Sequence, residues 1–284
     1  MWSLAWSSVA VKEKTMLELL SNSFIQNAFL AAFLTSIACG IMGTLIMINR
    51  LSSMAGGITH GAFGGIGIAF YFGLPVLVST SLFTLFLALL VAFLVQKYPF
   101  RSDNIVGVIW AFGMAVGIIL IDLTPGYNGD LMGYLFGSIL SVPTQDIVLF
   151  AVIDVIFIIL ALLFYRQFEI LSFDKEFASL RGVKINLFHY LLIAMMAFCI
   201  VISIKVVGLI LVIALLSIPA FIAESFSKKL GQMMIISTLL SISFCVIGLF
   251  VSFYYNLASG ACIIASACIA FVFYLCFSAF LKKS

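Results

Sequence analysis

The stretch LSSMAGGITHGAFGGIGIAFYFGLP, residues 51–75, is apolar and dense in glycine, and it contains a single histidine, His60. In a helix, small residues at i, i+4 spacing share one face and let two helix backbones approach closely within a membrane. One such face holds Gly57, Gly61, Gly65 and Ala69. His60 leads a neighbouring row through Gly64 and Gly67. We therefore expect His60 to lie at the edge of a tight helix contact and to face protein rather than lipid.

The composition of the whole chain indicates a membrane protein. Hydrophobic residues make up 64% of the 284 residues and charged residues 9%, whereas a soluble domain has about 45–50% and 25%. Apolar runs recur at close to the roughly 20 residues that cross a bilayer as a helix, and they lack the alternation of barrel strands. The sequence thus predicts an all-α polytopic, multi-pass membrane protein with about 8–9 transmembrane helices in contact with lipid. The net charge of +3 is spread over short loops and predicts no nucleic-acid partner.

Hydropathy divides the chain into an N-terminal interfacial segment, residues 1–25, and one transmembrane domain, residues 26–284. The nine candidate spans are 26–48, 58–72, 76–96, 105–123, 147–165, 187–204, 206–223, 232–253 and 260–280. The run 58–72 is short for a span. A further apolar run, 131–141, is too short to cross upright, which predicts a re-entrant or interfacial helix there.

Basic residues indicate the orientation, because loops retained in the cytoplasm are enriched in lysine and arginine. With Arg50 on the cytoplasmic side, nine spans place 11 of the 14 basic residues on that side. The remaining three are Lys12, Lys14 and Lys205, and the opposite orientation would retain only these. The N-terminus is therefore predicted to be external and the C-terminus cytoplasmic.

The largest polar interruption is QFEILSFDKEFASLRGVKIN, residues 167–186. Its middle predicts a short amphipathic helix, from a cap at Ser172 to Leu180, that presents Phe173 and Phe177 on its apolar face. Gly182 is well placed to end this helix. A short amphipathic helix on the cytoplasmic side either lies in the lipid headgroups or docks into a groove of a partner protein.

Ordered blocks spread over nearly the whole chain carry a family resemblance. They are RLSSMAGGITHGAFGG at 50–65, VGVIWAFGMAVGI at 106–118, GDLMGYLFGSIL at 129–140, FDKEFASLRGV at 173–183, IKVVGLILVIALLSIPA at 204–220 and GLFVSFYYNLASGACI at 248–263. With these blocks the chain resembles the permease subunit of bacterial ATP-binding-cassette (ABC) importers for zinc, manganese and iron(II). The resemblance implies a fold similar to that of the cobalamin-importer permease and a location in the bacterial cytoplasmic (inner) membrane.

The resemblance also implies partners and a transport cycle. Two copies of the permease would form the translocation path, two ATPase subunits would dock on the cytoplasmic face, and an extracytoplasmic metal-binding protein would deliver the ion. The divalent metal would be the transported substrate, and no cofactor would be bound permanently. The segment 173–183 matches the coupling helix of the family. The ATPase-coupling residues implied are Phe173, Asp174, Lys175, Glu176, Phe177, Arg181 and Gly182.

Two residues are predicted to meet the metal transiently along this path. His60 offers a neutral imidazole, and ionisable groups within a membrane are usually functional. Asp130, with Asp122 and Asp146, lies on the predicted outer side, where carboxylates attract a divalent cation. In the family an aspartate commonly precedes the histidine by about one helical turn, whereas this chain has Gly56 there. A path needs few and weak contacts, because the ion must also leave.

The chain is not expected to be an enzyme. It contains no GxxxxGK[ST] loop, so ATP hydrolysis would belong to a separate ATPase subunit. Two alternatives remain open from the residues: a gradient-driven secondary transporter or channel, and an ABC permease for a chelate such as a siderophore or cobalamin.

Overall fold

The computed structural model describes residues 23–125, 131–139, 142–173 and 175–281, and within these ranges the chain is built of helices with no strand. The helices are, in chain order, α1 (Ser23–Ile48), α2 (Ser52–Gly61), α3 (Phe63–Phe72), α4 (Val76–Lys97), α5 (Ser102–Asp122), α6 (Leu131–Phe136), α7 (Thr144–Leu163), α8 (Tyr165–Phe173), α9 (Lys175–Leu180), α10 (Ile185–Val207), α11 (Val212–Phe226), α12 (Leu230–Tyr255) and α13 (Ser259–Leu281). Nearly all of the predicted N-terminal segment, residues 1–25, lies outside the described residues.

Seven of the described helices are long and apolar enough to cross a membrane unaided: α1, α4, α5, α7, α10, α12 and α13. The α2–α3 pair and the shorter apolar helix α11 account for the other two predicted segments. The α2–α3 pair has 21 residues, from 52 to 72, and is interrupted only at Ala62. At about 1.5 Å per residue it is roughly 31 Å long, which matches the hydrocarbon core. The polytopic helical fold is confirmed.

The α2–α3 pair packs along α5 in a parallel arrangement that we call the glycine seam. Added β-carbons at successive glycines of the pair would collide with successive residues of α5: Gly57 with Val106, Gly64 with the carbonyl of Gly113, and Gly67 with the backbone of Gly117. The α2–α3 pair and α5 therefore run in the same direction and lie at the same depth of the bundle. Because α5 is long enough to span, its parallel neighbour spans with it.

Helix α4 is antiparallel to this pair and completes a three-helix layer. A β-carbon at Gly61 would meet Leu87, and one at Gly65 would meet the backbone of Thr80. The glycine face predicted for 57–69 thus serves two neighbours, because Gly57 packs on α5, Gly65 on α4 and Gly61 on both.

Contacts between helix ends divide the bundle into two sides. On one side Asn49 donates to Ser172 at 2.8 Å, and Tyr190 donates to Gln96 at 3.2 Å. These contacts join the end near Arg50 to the polar segment 167–186 and the end near Lys97 to the first turns of α10, which follow that segment, so the ends that the basic residues group together do lie together. We call this the coupling side.

An ion pair marks the opposite side. Lys205 Nζ lies 3.3 Å from Asp146 Oδ2 and also over the ring of Tyr134. The pair joins the end of α10 to the beginning of α7 and to α6. By the charge-based orientation this side is external.

Two predicted boundaries are wrong. The predicted span 206–223 begins at Val212 instead, because Gly208, at φ +92°, ends α10 and the chain turns back onto α6. There the amides of Leu209 and Ile210 donate to the carbonyls of Tyr134 and Leu135. The Gly208 backbone is so close to residues 135–137 that a side chain would not fit.

The polar segment also differs from its prediction. Ser172 does not cap a helix; it lies inside α8, and its hydroxyl accepts a hydrogen bond from Asn49. The separate helix α9 follows and ends where predicted, because Gly182, at φ +76°, closes it and the amide of Val183 donates to the carbonyl of Ala178.

The glycine seam yields a test with a matched control on the same helix. In Gly113→Ala the new methyl group would lie 2.6 Å from the Cα of Gly61, so the helices must separate. Gly107→Ala adds the same methyl group where nothing lies within 4 Å. We expect Gly113→Ala to destabilise the protein by about 1–3 kcal/mol and Gly107→Ala to leave its stability unchanged or slightly raised. Thermal melting of the purified protein in detergent measures both, and equal melting temperatures would contradict the seam.

Candidate functional site at the glycine seam

His60 occupies the last turn of α2, at the edge of the glycine seam, as the row through Gly64 and Gly67 predicts. Its imidazole is stacked on the indole of Trp110 in α5, with ring centroids 4.4 Å apart and planes inclined by 12°. Gly57, one turn before His60, packs on Val106, one turn before Trp110. The parallel register of the seam therefore brings the two rings together.

The two ring nitrogens of His60 have different surroundings. Nδ1 is buried and has no hydrogen-bond partner in the described part of the chain. The residue as a whole is only half-buried, and Nε2 is not among the fully buried side-chain atoms that lack a partner. A metal-ligating histidine almost always donates its other ring N–H to an oxygen atom, which raises its basicity. Without such a partner, an imidazole binds a metal ion more weakly.

The position one turn before His60 holds a glycine and no acid. Gly56 is buried, and a β-carbon there would lie 3.3 Å from Cδ1 of Ile213 in α11. The space that a family aspartate would enter is thus bordered by an aliphatic side chain. Within the described residues, no group of three His, Cys, Asp or Glu side chains could together hold a metal ion. The seam offers one nitrogen and no closed site.

The structure describes part of the predicted outer acidic group. Asp130 lies outside the described residues. Asp146 is paired with Lys205, so its charge is largely compensated. Asp122, at the end of α5, is exposed. The described acids are therefore not gathered around a common site.

A second ionisable residue is buried within the spans. Asp154, in α7, is only 3% exposed, and neither of its carboxylate oxygens has a hydrogen-bond partner among the described residues. It lies within electrostatic reach of Cys199 in α10. Asp154 thus faces the bundle rather than lipid, as the cost of a charge in hydrocarbon predicts. It belongs to a different part of the bundle from His60.

The predicted coupling residues lie on the coupling side and are largely turned away from the chain. Phe173, at the end of α8, is 71% exposed, and Leu180, at the end of α9, is 87% exposed. Phe177 is also exposed, with the guanidinium of Arg181 5.1 Å from the centre of its ring. Gly182 ends α9, Glu176 lies in its first turn, and Asp174 is outside the described residues. The apolar face of this segment is therefore not buried in its own subunit.

Sequence reasoning missed one component of the site, Trp110. It is separated from His60 by 50 positions, and no spacing rule connects residues in two parallel helices. The available signal was the pair Gly113 and Gly117, whose i, i+4 spacing is typical of helices that approach closely in a membrane. If that pair faces the glycines of α2–α3, the residue one turn before Gly113 is brought close to His60.

Comparisons with known proteins cover nearly the whole chain. Residues 21–278 match the model of the ABC 3 transport family. A Synechocystis protein described as an uncharacterized membrane protein is 45% identical over 93% of this chain and 94% of its own length. The manganese transport system membrane protein MntC of Listeria monocytogenes is 32% identical over 89% of this chain and 90% of its own. The structure of PsaBC from Streptococcus pneumoniae in complex with Fab matches with a TM-score of 0.84 and 29% identity, over 92% of this chain and 94% of that one.

Asp154 yields a test of whether its carboxylate contributes to stability. A buried polar group without a hydrogen bond costs about 1–3 kcal/mol, and leucine is of similar size. We expect Asp154→Leu to keep or raise the melting temperature of the purified protein. The matched change Asp146→Leu, near the start of the same helix, leaves Lys205 without its partner and is expected to lower that temperature. A fall in Asp154→Leu as large as in Asp146→Leu would show that the buried carboxylate stabilises the fold.

Proposed function

The chain belongs to the ABC 3 transport family, and on that basis we propose that it is the membrane permease subunit of an ATP-driven importer for a divalent metal ion. Two copies would form the translocation path by alternating access. The partners proposed are a cytoplasmic ABC ATPase dimer and an extracytoplasmic metal-binding protein. ATP hydrolysis would take place in the ATPase. Zinc, manganese and iron(II) are the candidate ions, and manganese is the first to test because the Listeria relative is named for it.

The observation that carries this proposal is the half-buried imidazole of His60 at the edge of the glycine seam. Imidazole nitrogen binds zinc, iron and other divalent first-row metals. A single nitrogen without an acid beside it, and without an acceptor for Nδ1, holds an ion weakly. Weak and successive contacts let a transported ion enter and leave. We propose that His60 is one such contact and that Asp130 is another, at the external entrance.

Exposed apolar side chains support the proposal that the coupling side receives the ATPase. Phe173 and Leu180 leave an apolar surface beside the basic ends of the spans. A cavity of about 780 Å³ lies next to it, lined in part by Arg50, Ser172 and Lys228. A surface of this kind fits a helix-in-groove contact with a partner. We propose that α9, with the end of α8 and the turn at Gly182, is the coupling segment.

The role of His60 is tested by uptake of radiolabelled manganese in bacteria that express the permease with its ATPase and binding protein. We expect His60→Ala to reduce uptake at least about tenfold, since loss of even an outer-shell partner of a metal ligand costs about 10–100-fold. The other histidine, His189, lies on the coupling side, and His189→Ala is expected to transport normally.

Membrane abundance and co-purification with the ATPase should be unchanged in both histidine variants. Wild-type uptake in His60→Ala would show that His60 only packs against its neighbours and takes no part in transport. Zinc and iron(II) uptake measured in parallel identifies the ion. Uptake of a metal chelate without uptake of the free ion would overturn the proposed substrate.

The coupling segment is tested by reversing its charges. The double variant Lys175→Glu, Glu176→Lys, or deletion of residues 173–177, is expected to abolish co-purification with the ATPase and to abolish transport. Lys97→Glu reverses a charge on the same side, at the end of α4, and is expected to retain both. Transport and co-purification that survive the changes in α9 would remove the ATPase from the proposal and favour a gradient-driven transporter.

A further inference from the structure

We propose that Trp110 is the positioning residue that fixes the imidazole of His60 so that Nε2 alone meets the ion. This inference rests on the function proposed above and deepens it. The rotation of a histidine ring about its last torsion is broad, so the side chain does not orient its own nitrogens. In this chain the indole of Trp110 lies almost flat against the imidazole, 4.4 Å from it. To rotate, the imidazole would have to turn its edge into the indole.

The indole is itself held in place. Its Nε1–H donates to Sδ of Met114, one turn further along α5, at 3.3 Å. The Trp110 side chain is 43% exposed, so neighbouring atoms alone do not enclose it. The chain of contacts from Met114 to Trp110 to His60 therefore defines the ring orientation. It also occupies the sulfur of Met114 as a hydrogen-bond acceptor.

The consequence is a choice between two nitrogens. With the indole in place, Nδ1 stays buried without a partner, and Nε2 is the ring nitrogen left for an ion. If the indole is removed, the ring can turn over and present either nitrogen. An ion that passes His60 then no longer meets a donor in a fixed direction. Loss of Trp110 is thus expected to weaken the contact rather than to abolish it.

Chemical modification reports the orientation of the His60 imidazole independently of transport. Diethyl pyrocarbonate adds a carbethoxy group to each accessible imidazole nitrogen, and mass spectrometry of the full chain in lipid nanodiscs counts the groups on each histidine. We expect one group on His60 in the wild type and in Trp110→Phe, which keeps the stack. In Trp110→Ala we expect faster modification and a second group. His189 provides an internal reference, and its modification should not change.

The fluorescence of Trp110 itself reports whether the ion binds beside it. The chain has three tryptophans, and Trp2→Phe with Trp6→Phe leaves Trp110 as the single indole. Mn²⁺ is paramagnetic and quenches an indole in contact with its ligand, whereas Mg²⁺ does not. We expect Mn²⁺ to quench the emission and His60→Gln to abolish that quenching.

For uptake, we expect Trp110→Ala to raise KM about tenfold with little change in kcat, and Met114→Leu to raise it less.

The outcomes separate this inference from the function on which it rests. Unchanged modification of His60 and an unchanged KM in Trp110→Ala would overturn the positioning role of Trp110, whatever His60 does in transport. Quenching that persists in His60→Gln would overturn the metal contact at His60, and with it the role of Trp110 toward an ion. If Trp110→Ala does not fold, the carbethoxylation of His60 in Met114→Leu tests the positioning role instead. A second carbethoxy group on His60 in that variant supports the proposal, and wild-type modification contradicts it.

Discussion

Contact between helix backbones at the glycine seam is the constraint on which the rest of this structure depends. Lipid tails are as apolar as the side chains they would replace, so helices in a membrane associate through close packing rather than through the hydrophobic effect. Here Gly61 and Gly113 leave no side chain between the α2–α3 pair and α5. That proximity lets the broken pair span beside an intact helix. It also sets the register that places His60 against Trp110.

Much of the fold follows from the sequence because hydropathy and the distribution of basic residues act along the chain. The spans, the glycines of the seam and the grouping of the basic ends are all predicted in this way. The failures have a different origin. The late start of α11 depends on Gly208 turning back onto α6, and the separation of α8 from α9 accompanies a bond between Asn49 and Ser172. These are contacts between distant segments, which a window of neighbouring residues does not contain.

The candidate site also has a part that the sequence predicts and a part that depends on contacts between distant segments. His60 was predictable as the one histidine in a glycine-rich span, and its place at the edge of the contact follows from helical spacing. Its environment was not predictable. The indole on one face of the imidazole and the Ile213 side chain beside Gly56 come from other helices. The same surroundings leave Nδ1 of His60 without an acceptor. Those neighbours, rather than the histidine itself, would make this imidazole a weak ligand for the ion proposed to pass it.

The glycine seam also restricts how such a protein can diverge. At Gly113 and Gly117 any other side chain would enter a backbone, so these positions are closed to change. Gly107 is different: it lies on the same helix, about one turn before Trp110, and has open space around it. Gly56 meets only the flexible end of Ile213. A small side chain can therefore be added at these two glycines, at Gly56 with a small shift of the end of Ile213, while the helix contacts of the seam stay in place.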